Sequence, residues 1–235
     1  MLLLEWHICH GGPKMIVEGK HIYLYGKENA GNPLVIVNTF QGDGHEIYEA
    51  IQQIESIPIV LAVISDIDWN DEMTPWECPP MFKGDSPCTG GADGYIRKLE
   101  DKIVPAILAE LNGQPSFVAI AGYSLGGLFA IYSLYKTDIF SRAVSASGSM
   151  WFPGSLDFVR KNEMVVKPER VYFSLGDKEA KTRNQMLRTV EDNTKEICEL
   201  IKNNGIESIF EMNEGNHFKD ADLRLAKGIK WICEN

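Results

Sequence analysis

Basic residues are in deficit in this chain. Lysine and arginine number 23 against 33 aspartates and glutamates, a net charge of −10 at neutral pH. A nucleic-acid partner needs a basic surface that replaces condensed counterions, and an anionic membrane surface attracts polybasic segments, so neither is an expected partner. Long apolar runs are missing too: nothing approaches the ~20 residues that span a bilayer. Met1-Leu2-Leu3-Leu4 stops at Glu5 with no Lys or Arg ahead of it, which is not the pattern of a secretory leader. Cysteine is sparse and odd in number, at Cys9, Cys78, Cys88, Cys198 and Cys233. Reduced thiols in the cytoplasm are therefore the expectation, over a Cys78–Cys88 bridge across a loop. Internal repeats and low-complexity segments are absent. With 44% hydrophobic and 24% charged residues, the 235 residues suffice for one domain, 1–235, with a sizeable core.

The most informative stretch is Phe117 to Tyr132, FVAIAGYSLGGLFAIY. A short run rich in Val, Ile and Ala reads as a buried strand, and Leu128, Ile131, Tyr132 and Tyr135 recur at the spacing of an amphipathic helix. Between them lies Gly122-Tyr123-Ser124-Leu125-Gly126, a G-x-S-x-G turn. A nucleophilic serine above a strand end sits in a strained turn that side chains two before and two after it would crowd, so Gly122 and Gly126 have a reason to be bare. Gly127 allows the new helix to pass close to the sheet. Ser124 is thereby exposed at a helix N-terminus, where free N–H groups favour developing negative charge. In a chain with 21 glycines the bare motif arises by accident about one time in ten, so its strand-turn-helix context carries the weight.

Leu2–Cys9 and His21–Tyr25 alternate apolar and polar residues as half-buried strands do, broken by Gly11-Gly12-Pro13, and predict an antiparallel edge. His7, Cys9 and His10 are read as strand or turn residues and not as a metal cluster, since alternation puts His10 on the face opposite Cys9. From Pro33 the pattern becomes strand Leu34–Val37, helix Glu46–Ile54, strand Ile59–Ile64, and helix Tyr95–Leu111 with a kink at Pro105. The Phe117 strand and Leu125 helix follow, then strands Ala143–Ser147 and Val171–Leu175, helix Gln185–Ile201, strand Ile206–Met212 and helix Asp220–Cys233. Such alternation predicts an α/β fold: a mostly parallel sheet, helices on both faces, and a ligand site at the carboxyl ends of the strands. Asp66 to Gly94 stands apart as a long loop with four prolines, expected to overhang the Ser124 site.

A serine needs a base, and the base needs an acid. In sheets built around a G-x-S-x-G elbow the chain order is Ser, acid, His. His217, in Glu214-Gly215-Asn216-His217-Phe218, is the one histidine after Ser124, and it falls between the last strand and the last helix. The acid should follow strand Val171–Leu175, where Asp177 and Glu179 both stand; Asp177 suits a Gly-Asp turn, and Glu179 lies further into the loop. One oxyanion N–H is expected from Leu125, the residue after the serine, and another from the loop after Leu34–Val37, at Phe40.

Several segments together resemble the esterase D-like branch of the α/β-hydrolases, with its S-formylglutathione hydrolases, enterochelin-type siderophore esterases, feruloyl and acetyl esterases and mycolyltransferases. They are Asp71-Glu72-Met73-Thr74-Pro75-Trp76, Gly90-Gly91-Ala92-Asp93-Gly94-Tyr95 leading to Ile103-Val104-Pro105, Gly122 to Phe129, Ser147-Gly148-Ser149-Met150-Trp151, Gly176 to Glu179, and Gly215-Asn216-His217. The resemblance implies a Ser–acid–His esterase without metal or cofactor. It also implies Glu179 as the acid, three residues after the glycine that ends its strand. Two departures stand out: Asn38-Thr39-Phe40 lacks the His-Gly or Asp-Gly pair of such relatives, and with a short N-terminal region a larger substrate-binding module is not expected.

Substrate is read from charge. Asp66 to Gly94 holds seven acidic residues against Lys83 alone, a poor match for a strongly anionic iron–catecholate complex. Trp69, Trp76 and Trp151 offer indole faces for a neutral sugar or aryl group, or serve as core anchors. The leading expectation is a serine carboxylesterase acting on a small neutral ester. Its rivals are a siderophore trilactone esterase, an acyltransferase with the same triad, and a non-catalytic binding protein of the same fold.

Overall fold

The computed structural model describes residues 14–27, 31–54, 57–80, 84 and 86–234. Leu2–Cys9 and the His7, Cys9 and His10 group lie outside them. Among the described residues the strands, in chain order, are β1 (Lys14–Val17), β2 (Lys20–Tyr25), β3 (Leu34–Asn38), β4 (Val60–Ser65), β5 (Glu77–Cys78), β6 (Cys88–Thr89), β7 (Val118–Tyr123), β8 (Arg142–Ala146), β9 (Arg170–Gly176) and β10 (Glu207–Asn213). All but β5 and β6 join one sheet in the order β1-β2-β4-β3-β7-β8-β9-β10. The six strands from β4 to β10 in that order are parallel, while β1 and β2 form the antiparallel edge. Every residue of β3 and β4 is buried, as continuous Val/Ile/Leu runs require of strands covered on both faces.

Helices α1 (His45–Ile54) and α8 (Ala221–Cys233) cover one face, where Ile47, Ile51, Leu225, Ile229 and Ile232 pack on Val35, Val37, Leu61, Val144 and Tyr172. The other face carries α2 (Trp69–Glu72), α3 (Ala92–Lys98), α4 (Val104–Ala109), α5 (Leu125–Ser133), α6 (Ser155–Lys161) and α7 (Val190–Asn203). Helix α5 departs from the amphipathic expectation: all nine of its residues are buried. It lies between the sheet and outer elements, with Phe129 against Tyr95 and Tyr132 against Phe158 and Trp76.

Three departures from the sequence expectation have local reasons. The kink expected at Pro105 is a widened turn over Leu99–Ile103, in which the Val104 N–H reaches back to the Leu99 carbonyl. Proline has no N–H for the carbonyl four residues back, and a one-residue widening absorbs the loss. Helix α7 begins at Val190 because Asn184 Oδ1 accepts the Met186 and Leu187 N–H groups and holds the preceding residues in a turn. The Asp66–Gly94 segment is structured: it contains α2 and the β5–β6 hairpin, with Cys78 opposite Cys88 and both thiols free.

Candidate active site

Strand β7 delivers Ser124 in backbone geometry that is rare for a side-chain-bearing residue, φ 57° and ψ −123°. A Cβ at Gly122 would run into the Gly126 carbonyl, so the elbow closes only around a glycine. Gly126 has a different reason to be bare, facing the Trp69 ring at 3.2 Å. The Ser124 Oγ lies 3.1 Å from His217 Nε2, and His217 Nδ1 lies 2.7 Å from Glu179 Oε2. The three side chains come from loops after β7, β9 and β10, at the carboxyl ends of parallel strands.

Glu179 is held from its other oxygen as well. Its Oε1 accepts from the Gly176 N–H at 2.6 Å, the Ser147 hydroxyl at 2.8 Å and Arg224 Nη1 at 3.1 Å. Burial pushes the carboxyl toward protonation, but donors from His217, Gly176 and Ser147 outweigh it and hold Glu179 below the usual 4.5. Asp177 points elsewhere, accepting the Gly215 N–H at 2.6 Å and so closing the turn that precedes His217. That bond, the largest influence, keeps Asp177 below the usual 3.8. The Tyr123 hydroxyl donates to the His217 carbonyl at 2.7 Å, and the Ser149 hydroxyl lies 3.4 Å from Ser124 Oγ.

Ser124 and His217 open into a cleft of about 590 Å³ walled by Phe40, Trp69, Tyr123, Phe218, Ile47 and Leu225, with Asp222 at its rim. Among the described residues, the backbone N–H groups of Leu125 and Phe40 have no protein acceptor. Phe40 meets Trp69 edge-to-face at 5.6 Å, and Phe40 and Phe218 are exposed.

Two of the three tryptophans expected at the site are not in the cleft. The Trp76 indole N–H donates to the Pro153 carbonyl at 2.8 Å, and its ring packs on Tyr132, Phe152 and Phe158, so it anchors the β5 region to α5 and α6. Trp151 lines a separate groove with Met186 and Asn193. The acidic loop also needs correcting. Asp66 pairs with His21, Glu72 with Lys20 and Lys98, Asp71 with Thr89, and Asp93 with Tyr132 and Lys136; none of these carboxylates lines the cleft. The charge of the cleft is set by its own lining, which among the described residues holds no Lys or Arg.

The largest buried side chain at the site had no role in the sequence reading. Arg224, 1% exposed, reaches Glu179 from α8. Its signal was present: with Leu225, Gly228, Ile229 and Ile232 it shares the buried stripe of that helix, and a cation on such a stripe calls for a buried anion.

Residues 37–224 match the family described as Putative esterase. The chain belongs to that esterase family. Uncharacterized protein YbbA of Bacillus subtilis (strain 168) is 25% identical over 220 residues, 88% of each chain. Ferri-bacillibactin esterase BesA of the same organism is 26% identical over 153 residues, 60% of this chain and 52% of BesA. Siderophore hydrolase EstB from Aspergillus nidulans shares the fold at 18% identity, with a TM-score of 0.70 over 93% of both chains. The architecture is that of the α/β-hydrolases, and the chain is an esterase of that fold. Among the described residues no helix is long and apolar enough to cross a membrane.

Proposed function

We propose that this esterase is a serine carboxylesterase in which Ser124 is the nucleophile, His217 the base and then the acid, and Glu179 the carboxylate that orients His217. The observation that carries the reading is the unbroken relay from Ser124 through His217 to Glu179, at 3.1 and 2.7 Å, opening into a cleft. His217 Nε2 takes the hydroxyl proton as Oγ attacks the ester carbonyl, and Glu179 stabilises the imidazolium that forms. The Leu125 and Phe40 N–H groups, without a protein acceptor among the described residues, serve in this reading as the oxyanion donors; one such donor is worth ~3 kcal/mol of transition-state stabilisation. His217 then protonates the departing alcohol, and water repeats the sequence on the acyl-enzyme to release the acid. No step calls for a cofactor or a metal.

The substrate in this reading is a small neutral ester with an aromatic or sugar part. Phe40, Trp69, Tyr123 and Phe218 offer ring faces, and with no Lys or Arg among the described residues of the lining an anionic ligand would be desolvated without a counter-charge there. Free thiols at Cys78, Cys88, Cys198 and Cys233 fit action in the cytoplasm.

A second reading, hydrolysis of an ester-linked siderophore, is favoured by the names of BesA and EstB. The test is kcat/KM on a panel of neutral aryl and acetylated-sugar esters beside a catecholate trilactone, iron-free and iron-loaded. Preference for the neutral esters supports the first reading, and preference for the iron-loaded trilactone replaces it with the second. Adding an acceptor alcohol and analysing products separates hydrolysis from acyl transfer.

A further inference from the structure

Arg224 makes a two-armed contact behind the site. Nη1 donates to Glu179 Oε1 at 3.1 Å and to Ser147 Oγ at 3.1 Å, with the Tyr123 hydroxyl at 3.4 Å; Nη2 donates to the carbonyls of Glu214 at 3.1 Å and Asn216 at 3.0 Å. One guanidinium therefore holds the carboxylate facing His217 and two carbonyls of the turn that presents His217. The strand end is shaped around it: a Cβ on Gly176 would lie 2.9 Å from both terminal nitrogens. Burying a guanidinium is costly, and an apolar side chain would fill this helix position with less penalty. Packing alone does not account for the residue.

We propose that Arg224 is a positioning residue for ester hydrolysis: its charge balances that of Glu179, and its forked donors fix the Glu214–Asn216 turn so that His217 stays aimed at Ser124. The inference rests on the Ser124–His217–Glu179 mechanism. An unshared buried carboxylate beside an imidazole favours the charged imidazolium, and a histidine that already carries a proton cannot accept one from serine. The opposing charge of Arg224 limits that bias.

The other charged and titratable groups around His217 are more exposed or already engaged. Asp222, exposed on α8, lines the same cleft. Glu214 pairs with Lys219 in the histidine's own loop, Asp177 in the β9 loop has Lys178 and Lys181 nearby, and the Tyr123 hydroxyl is spent on the His217 carbonyl. Solvent screens the exposed charges, which leaves Glu179 and Arg224 as the buried pair that sets the field at the ring.

The test compares Arg224→Met and Arg224→Lys by the pH profile of kcat/KM on a p-nitrophenyl ester. A second measurement needs no turnover: proton NMR titration of the His217 ring in a Ser124→Ala background, assigned with His217→Gln. In Arg224→Met the acid limb and the NMR midpoint move to higher pH by about one unit, and kcat falls. In Arg224→Lys, which keeps the charge but not the fork, the midpoint stays near wild type while kcat falls ~10-fold and KM hardly changes. A folded Arg224→Met protein with wild-type midpoint and kcat overturns the proposal. If Arg224→Met does not fold, Arg224→Lys decides, and a wild-type kcat there overturns it. Turnover that survives Ser124→Ala would instead defeat the underlying mechanism, so the two failures are told apart.

Discussion

The Tyr123 hydroxyl donates to the backbone carbonyl of His217 at 2.7 Å, linking the residue before the serine to the residue that faces it. The serine turn and the histidine loop come from strands β7 and β10, separated in the sheet by β8 and β9, so this bond spans the site. Tyr123→Phe removes this hydrogen bond and the 3.4 Å contact from Arg224 Nη1, together worth ~1–2 kcal/mol of stability. It also frees the His217 loop, and kcat is expected to fall several-fold with KM little changed. Steady-state kinetics with a thermal melt on the same protein checks both.

Glu179 and Asp177 occupy one loop and have separable jobs. Glu179→Gln leaves the packing intact but removes the carboxylate facing His217, with an expected loss in kcat of about 10³–10⁴. Asp177→Asn keeps a side-chain oxygen that can accept the Gly215 N–H, so the turn before His217 holds and most of the activity is expected to remain. Equal losses in the two variants would contradict the assignment of roles.

Trp69 and Trp76 are a second contrasting pair. Trp76 is partly buried among Tyr132, Phe152 and Phe158, so Trp76→Ala is expected to cost ~2–3 kcal/mol in denaturant unfolding, below the cost at a fully buried core position. Trp69 lines the cleft, so Trp69→Ala is expected to raise KM for aryl esters with a smaller loss of stability.

Glu72 predicts an acid-sensitive contribution to folding. Burial alone would raise its carboxyl, but hydrogen bonds from Lys20, Lys98 and the Asp68 N–H outweigh that and hold it below 4.5. A carboxyl with a depressed folded value stabilises the protein above the unfolded value and loses that contribution as pH falls through the folded one. The melting temperature should therefore drop as pH falls below about 4.5, and more steeply in the wild type than in Glu72→Gln, which begins lower and changes less. Parallel curves for the two proteins would contradict this.

What could be read from the sequence was whatever is local or fixed by order. The elbow at Ser124 announces itself within five residues, and His217 follows from its place after the last strand. The inner strands β3, β4, β7, β8 and β9 show as short apolar runs because both of their faces are covered. Tertiary partners were the hidden part. Trp69 and Trp76 sit in one segment seven residues apart with similar neighbours, and only the packing of α5 and α6 sends Trp76 away from the cleft. The acidic residues of that segment looked like a charged lid until their partners, Lys20, Lys98, His21 and Lys136, were placed. Arg224 was overlooked because its significance lies in an ion pair with Glu179, 45 positions earlier.

The most direct test of the central claim is labelling with a fluorophosphonate, followed by peptide mass analysis and a matched assay of p-nitrophenyl acetate hydrolysis in wild type and Ser124→Ala. A single adduct on Ser124, with hydrolysis lost in step with labelling and reduced by several orders of magnitude in the folded mutant, is the predicted result. Hydrolysis at the wild-type rate in Ser124→Ala, or an adduct on another residue, would contradict it.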